Sequence, residues 1–392
     1  MDKPTSVLIS GASIAGPVLG YWLAKYGFDV TIVERAPAPR TGGYAVDFRG
    51  SVMEVLKKMD ILDDIRKQQT NMGAVTFVTE KNKRIADMPS FFLSGEVEIL
   101  RGDLVEILYK CTKDTVRYIF SDSITHLQDT GSEVRVQFEQ AKPQTYDLVI
   151  GADGIHSHVR QLAFGDEAQF IRHLGYYVSI FTLPNYLKLD HTGRYYATPG
   201  KLSAMYSARN NTEAKASFYF TSPPLTYGRH DTQQQKELVR QAFTNEGWEV
   251  PKLLEAMKPA NDFYFDAVAQ VHMDTWHRGR IGLVGDAAYC ASPLAGQGTP
   301  MAFVGAYVLA GELKTASGNY EQAFTRYQTA MEDYVKQSQG STGQAAMFFI
   351  PKNKFMIHMR NFNFRVMPYL PWKSLIAKAS VGPANMVTIK NY

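Results

Sequence analysis

The 392-residue chain holds only two cysteines, Cys111 and Cys290. Two are too few for a disulfide framework or a thiolate metal site, and free thiols fit a reducing compartment. Long apolar runs are also missing. No stretch approaches about 18 apolar residues, which argues against a membrane span. The apolar run from Ser6 to Ser10 stops at Gly11, too short for a secretory leader, so a cytoplasmic location is expected. Charge of one sign is lacking as well: 42 basic and 38 acidic side chains leave +4. With no long Lys/Arg run, no nucleic-acid partner is expected. The His156-Ser-His158 pair has no companion carboxylate cluster in the sequence, so no metal site is expected. Neither a nucleophile elbow nor a P-loop is present. Disorder is excluded by 45% hydrophobic and 20% charged residues, and the length suggests two packed units.

What the chain does have is 30 glycines, unevenly placed. The first thirty-five residues read as a β-α-β unit: a strand over Val7–Ser10, a helix to Tyr26 ended by Gly27, and a strand over Asp29–Val33. Alternating patterns predict strands at Val75–Thr79, Val116–Phe120, Val134–Phe138 and Tyr146–Ile150, and mostly strand from Tyr176 to Thr221. A helix is expected over Gln235–Phe243, a strand over Arg280–Val284, and one long helical region from Gly298 to Val335. The fold class is therefore α/β: a Rossmann-type dinucleotide-binding domain with an inserted mainly β domain and a C-terminal helical segment. The boundaries place the first domain at 1–70, 97–170 and 277–340, the inserted one at 71–96 and 171–276, and the tail at 341–392.

Three glycine clusters carry chemistry. Gly11-Ala-Ser13-Ile14-Ala15-Gly16 departs from G-x-G-x-x-G only at Ser13, a small residue where backbone must approach a pyrophosphate at a helix N-terminus. Glu34 ends the second strand, followed by Arg35, and suits the ribose hydroxyls. The second cluster is Gly151-Ala-Asp153-Gly154. The third is Gly285–Asp286, followed by Pro293-Leu-Ala295-Gly296-Gln297-Gly298, a strand end that feeds a helix N-terminus. At these residues the chain resembles the group A flavoprotein monooxygenases, aromatic hydroxylases with a para-hydroxybenzoate-hydroxylase-like fold. The resemblance runs from Val7 to about Val335 and implies FAD as cofactor, bound by the residues just named. It adds Arg101, within Ile99-Leu-Arg101-Gly-Asp-Leu104, as an FAD contact. It also implies NADPH as a visiting reductant, since no second strand-glycine-helix unit exists, with Arg40 as a candidate phosphate contact. The flavin then carries the chemistry through a C4a-hydroperoxide, O2 is consumed, and no side chain is catalytic in its own right. No W-x-W-x-x-P segment surrounds Trp22, Trp248, Trp276 or Trp372, which counts against a flavin halogenase.

Residues 171–227 hold eleven Tyr or Phe, which suits a flat aromatic ligand but also an ordinary strand core. Ser179, Phe181, Arg194, Phe218 and Phe220, with Pro293, are the candidate substrate residues. A narrower resemblance lies in Gly42-Gly43-Tyr-Ala-Val-Asp47, in Glu96–Leu104 and in Gly285–Cys290 with Ser292-Pro293-Leu. It is to the tetracycline destructases, and it implies Asp47 and Gly43 at the FAD site and a C-terminal helix closing the cavity. Function is thus expected to be hydroxylation and inactivation of a tetracycline-like polycycle by a monomer. The alternatives are hydroxylation of another aromatic polyketide or phenol, or sequestration of a drug without turnover. The basic tail, with Phe355, Met359 and Phe362 at helical spacing, is read as a gate, as simple packing, or as a contact with an acidic membrane surface; a membrane partner is not expected.

Overall fold

The computed structural model describes residues 4–40, 42–92, 95–370 and 386–392. A six-stranded sheet runs in the order His277–Arg278, Ile281–Leu283, Leu148–Gly151, Ser6–Ser10, Asp29–Glu34, Arg117–Phe120. It is parallel except for the edge hairpin. Its strands are nearly continuous apolar runs because both faces are covered, one by helices such as Ala15–Lys25, the other by the helix His158–Phe164 and a three-stranded sheet of Ile124–Asp129, Val134–Phe138 and Gln144–Tyr146. Ser10 sits level with Val33 on one side and Gly151 on the other, and Gly151 is level with Leu283. All three glycine clusters and Glu34 therefore open at one edge of this sheet.

A seven-stranded sheet follows the order Tyr264–Val271, Ile171–Pro184, Glu213–Thr221, Lys201–Ala208, Gly193–Thr198, Val75–Val78, Arg84–Met88. Both its faces are covered. On one, Phe181, Met205, Phe218 and Phe220 pack beneath the helices Thr232–Phe243 and Val250–Met257. On the other, Phe77, Val178, Ile180 and Leu202 meet Ala346, Ile350 and Phe364 from the C-terminal helices.

Two expected elements are divided. The strand predicted over Tyr146–Ile150 is two, Gln144–Tyr146 and Leu148–Gly151, in different sheets. The helical region from Gly298 to Val335 breaks at Ser317 and Gly318, both at positive φ (47° and 95°). Asn319 then caps a new helix, its side chain accepting from the Gln322 N–H at 3.1 Å. That helix, Tyr320–Phe349, runs unbroken through the expected boundary at 340.

The tail has two separate parts. The helix Lys354–Val366 lies against the edge of the seven-stranded sheet, with the Arg360 guanidinium 3.9 Å from the Phe77 ring centre and Phe364 stacked on the same ring at 5.7 Å. Phe355, Met359 and Phe362 point the other way, to solvent, at 73%, 49% and 63% exposure. The helix turns Arg360, Asn361 and Phe364 inward. The last residues return to the helix Gly298–Thr315, where Lys390 and Tyr392 both reach Glu312 at 2.9 Å. Among the described residues no helix is long and apolar enough to cross a membrane.

Candidate active site

The Gly11–Gly16 turn is closed by contacts that exclude larger residues. A Cβ on Gly16 would lie 1.9 Å from the Gly11 carbonyl, and one on Gly11 2.6 Å from the Ala152 carbonyl. The helix Ala15–Lys25 that follows Ile14 has no side-chain cap and no acid in its first turn. Its leading N–H groups and positive dipole end thus favour an anion. Glu34 accepts from the Ala12 and Ala36 N–H groups, each at 2.9 Å, which aims the carboxylate at the loop. Arg35 and Arg40 are exposed, and Arg40 lies 3.6 Å from Glu34.

Ser13 has a partner. Arg101, at the start of the helix Arg101–Thr112, donates from Nη2 to Ser13 Oγ at 2.8 Å. Its backbone N–H is held by the Tyr44 carbonyl at 3.0 Å, and Gly43 packs on its side chain. Gly285 sits between Ala15 and Ala302, the leading turns of two helices, which places Asp286 where both N-termini meet. Burial raises the Asp286 carboxyl above 3.8, with Arg101 opposing, yet the residue is exposed. The carboxylate is thus surrounded by protein without being covered by it.

The remaining predicted residues are placed as follows. Asp153 accepts from the Ser157 hydroxyl and from the N–H groups of His158 and Val159, at 2.8 and 3.1 Å. Its oxygens are engaged within the turn, and Gly154 follows at positive φ. Asp47 is paired with Arg49 in a nearly buried ion pair whose carboxyl is raised by burial, against the pull of Arg49. Pro293, Ala295 and Gly296 form a tight turn in which Ser292, at φ 99°, accepts from the Leu294 N–H. Gln297 is buried and accepts from the Tyr334 hydroxyl at 2.9 Å. Gly298 opens the next helix, which again lacks a cap or a first-turn acid; a Cβ there would lie 3.7 Å from Asp286. The two glycine-bearing turns are braced by Arg160, fully buried, which donates to the carbonyls of Ala287 and Ile155 at 2.8 and 2.5 Å.

The predicted substrate residues on the strands share the face beneath the outer helices, while Pro293 lies in the turn before Gly298. Phe181, Phe218 and Phe220 belong to the layer beneath the outer helices. Ser179 shares their side of the strand by alternation, and Arg194 pairs with Met205 and Thr76 while its neighbour Tyr195 meets Phe77. The opposite face of the same sheet carries Tyr195, Tyr206, Tyr219 and Tyr264, with Tyr44 across from Tyr264. All five are only partly buried. Burial nevertheless lifts every one of these phenols above 10. Arg101 and Asp286 lie close enough for their charges to act on Tyr44. Sequence reasoning missed the tyrosines because alternation names two faces without saying which is inside.

Residues 4–336 match the family described as FAD binding domain. A flavin-dependent monooxygenase of Legionella longbeachae is 43% identical over 343 residues, 86% of this chain and 88% of its own. The chain belongs to the flavin-dependent monooxygenase family. Among solved members, tetracycline destructases Tet(55) and Tet(51) share 39% and 37% identity over all of both chains, with TM-scores of 0.87 and 0.86. The residues fit the family's FAD on their own geometry: an uncapped helix N-terminus, a loop closed to side chains, Glu34 aimed at that loop, and an exposed Asp286 beside a second uncapped helix N-terminus.

Proposed function

We propose that this flavin monooxygenase uses NADPH and O2 to hydroxylate, and so inactivate, a tetracycline-like polycyclic aromatic. The observation that carries the reading is the cluster of Tyr44, Tyr195, Tyr206, Tyr219 and Tyr264, with Arg101 and Asp286 beside Tyr44, in a chain whose whole length matches two tetracycline destructases. Gly11 to Gly16, Glu34 and Arg35 would hold the adenosine and phosphate half of FAD, with Ser13, Arg101 and Gly43 alongside. Asp153 and Gly154 would shape the adjoining turn. Gly285 and Asp286 would bind the polyol, and Asp47, Pro293, Ala295, Gly296, Gln297 and Gly298 would border the ring system. Bound there, FAD would pass the two electrons of NADPH to O2, so that one oxygen atom goes to the ligand and the other leaves as water.

The chain's own contributions are positional. The N-terminus of Gly298–Thr315 favours negative charge on the ring beside it. The five tyrosines offer flat apolar faces and hydroxyls, suited to a polyphenolic ligand, and with the C-terminal helices they keep water out. Arg40, exposed beside Glu34, remains the candidate contact for NADPH phosphate. The test is NADPH consumption and O2 uptake with and without tetracycline, with product mass. A gain of one oxygen supports the reading. Binding without that gain favours sequestration, and turnover only with simpler phenols favours a different hydroxylase.

A further inference from the structure

The overall charge of +4, from which no membrane partner is expected, conceals a division along the chain. Residues 334–392 carry eight Lys or Arg and no Asp or Glu, so the part before them is net negative. Much of that excess is displayed around the helix Lys354–Val366. The inner side of this helix is committed to the body of the protein. Phe364 stacks on Phe77, and Arg360 lies over the same ring while donating to the Phe349 carbonyl at 3.2 Å and to Asn361 Oδ1 at 3.1 Å. The outer side presents Phe355, Met359 and Phe362, whose i, i+4, i+7 spacing sets them in one stripe. Lys354, His358 and Arg365 recur along one edge of that stripe, and Lys352 precedes it; all four are exposed. Tyr369, at 86% exposure, follows the helix. On the strand Arg84–Met88, against which the helix packs, the one acid is Asp87, and it is already paired with Arg84.

We propose that this outer face seats on an anionic phospholipid bilayer. Phe355, Met359 and Phe362 enter the boundary between headgroups and acyl chains, and Lys352, Lys354 and Arg365 meet the lipid phosphates. Three large apolar side chains in one exposed row are held in water at a cost that a bilayer interface removes. The cations along the edge of the row, with no acid on their own segment to neutralise them, are matched by negative headgroups. This match of charge and depth commits the face to lipid. A bilayer asks only for apolar groups at one level with cations beside them, and one helix supplies both. No described helix is long and apolar enough to cross a membrane, so the helix lies along the surface. Tyr369 supplies an aromatic ring with a hydroxyl, a combination suited to the headgroup level. Like charge keeps the net negative remainder of the chain off the same surface. The contacts of Arg360 and Phe364 with Phe77 stay intact, because docking uses the opposite side of the helix.

The test sediments the full-length, FAD-loaded protein with vesicles of phosphatidylcholine alone and of phosphatidylcholine mixed with phosphatidylglycerol, at low and at high salt. Binding to the mixed vesicles at low salt is expected to exceed binding to the neutral ones by about tenfold or more, and to weaken as salt shortens the Debye length. The triple variant Phe355→Ser, Met359→Ser, Phe362→Ser should lower that binding by about tenfold or more, and so should the double variant Lys352→Glu, Lys354→Glu. Flavin content and melting temperature should stay at wild-type values in both, as exposed positions allow. Wild type left in the supernatant with both kinds of vesicle overturns the proposal, and so does binding that the triple variant retains in full. Light scattering without lipid tests the other occupant: a wild-type dimer that the triple variant abolishes assigns the face to a second copy and overturns lipid docking. None of these outcomes depends on turnover or on the identity of the substrate.

Discussion

Arg101 and Ser13, 88 residues apart in the chain, meet through a 2.8 Å hydrogen bond at the mouth of the dinucleotide loop. The serine that departs from the glycine pattern thereby acquires a function: it fixes a cation beside an uncapped helix N-terminus. Arg101→Ala should purify with much less flavin and a Kd for FAD raised by about tenfold or more, since charge-assisted hydrogen bonds are worth about 1.5–3 kcal/mol. Ser13→Gly should retain flavin, because Arg101 keeps its charge and its backbone anchor. Flavin released on denaturation gives occupancy, and titration of the apoprotein gives the Kd.

Asp286 gives a pH prediction. Its carboxyl is raised above 3.8 by burial, so the folded state binds that proton more tightly than the unfolded chain does. Its contribution is therefore greatest at low pH and is lost as pH rises from 3.8 through the raised value. Asp286→Asn should flatten the fall in apoprotein stability over that window, read from urea midpoints. Asp286→Ala should also lose bound flavin; a full yellow complement would remove it from the site.

Neighbouring residues on one strand should behave oppositely. Phe218, fully buried beneath the outer helices, should cost about 3–5 kcal/mol when cut to Ala with little effect on ligand affinity at a temperature where the variant stays folded. Tyr219→Phe should leave the melting temperature almost unchanged and weaken tetracycline binding. Thermal unfolding and ligand fluorescence separate the two.

The C-terminal helix allows the same contrast. Phe364→Ala, at 1% exposure, should destabilise by about 3 kcal/mol and loosen the inner wall. Phe355→Ser, Met359→Ser and Phe362→Ser should each stay within about 0.5 kcal/mol, as surface changes do. A large loss from the exposed three would show that they are covered in solution.

The final residues act as a clasp. Glu312 has a side chain only 3% exposed and receives both Lys390 and Tyr392, and Tyr392 occupies the space that any side chain at position 311 would need. Deleting Lys390–Tyr392 leaves a buried carboxylate without these donors, at a cost of about 2–3 kcal/mol. Gly311→Val should displace the same segment and lower the melting temperature similarly.

By itself the sequence determined the family and the strand-end turns of the first sheet. Gly11, Gly16, Glu34 and Asp286 are legible because each sits at the end of a locally encoded strand, and a turn that needs glycine announces itself within a few residues. Only the tertiary structure decided which face of the seven-stranded sheet looks inward. Both faces are covered, one by the helices over Phe181 and Phe218, the other by Tyr44 and the C-terminal helices, so both are apolar and alternation cannot rank them. The same holds for the tail, where Phe355 and Phe364 are equally apolar in sequence and only packing against Phe77 sends one inward. Partners such as Arg101 and Ser13 are set by strand register across long separations, which no local pattern encodes.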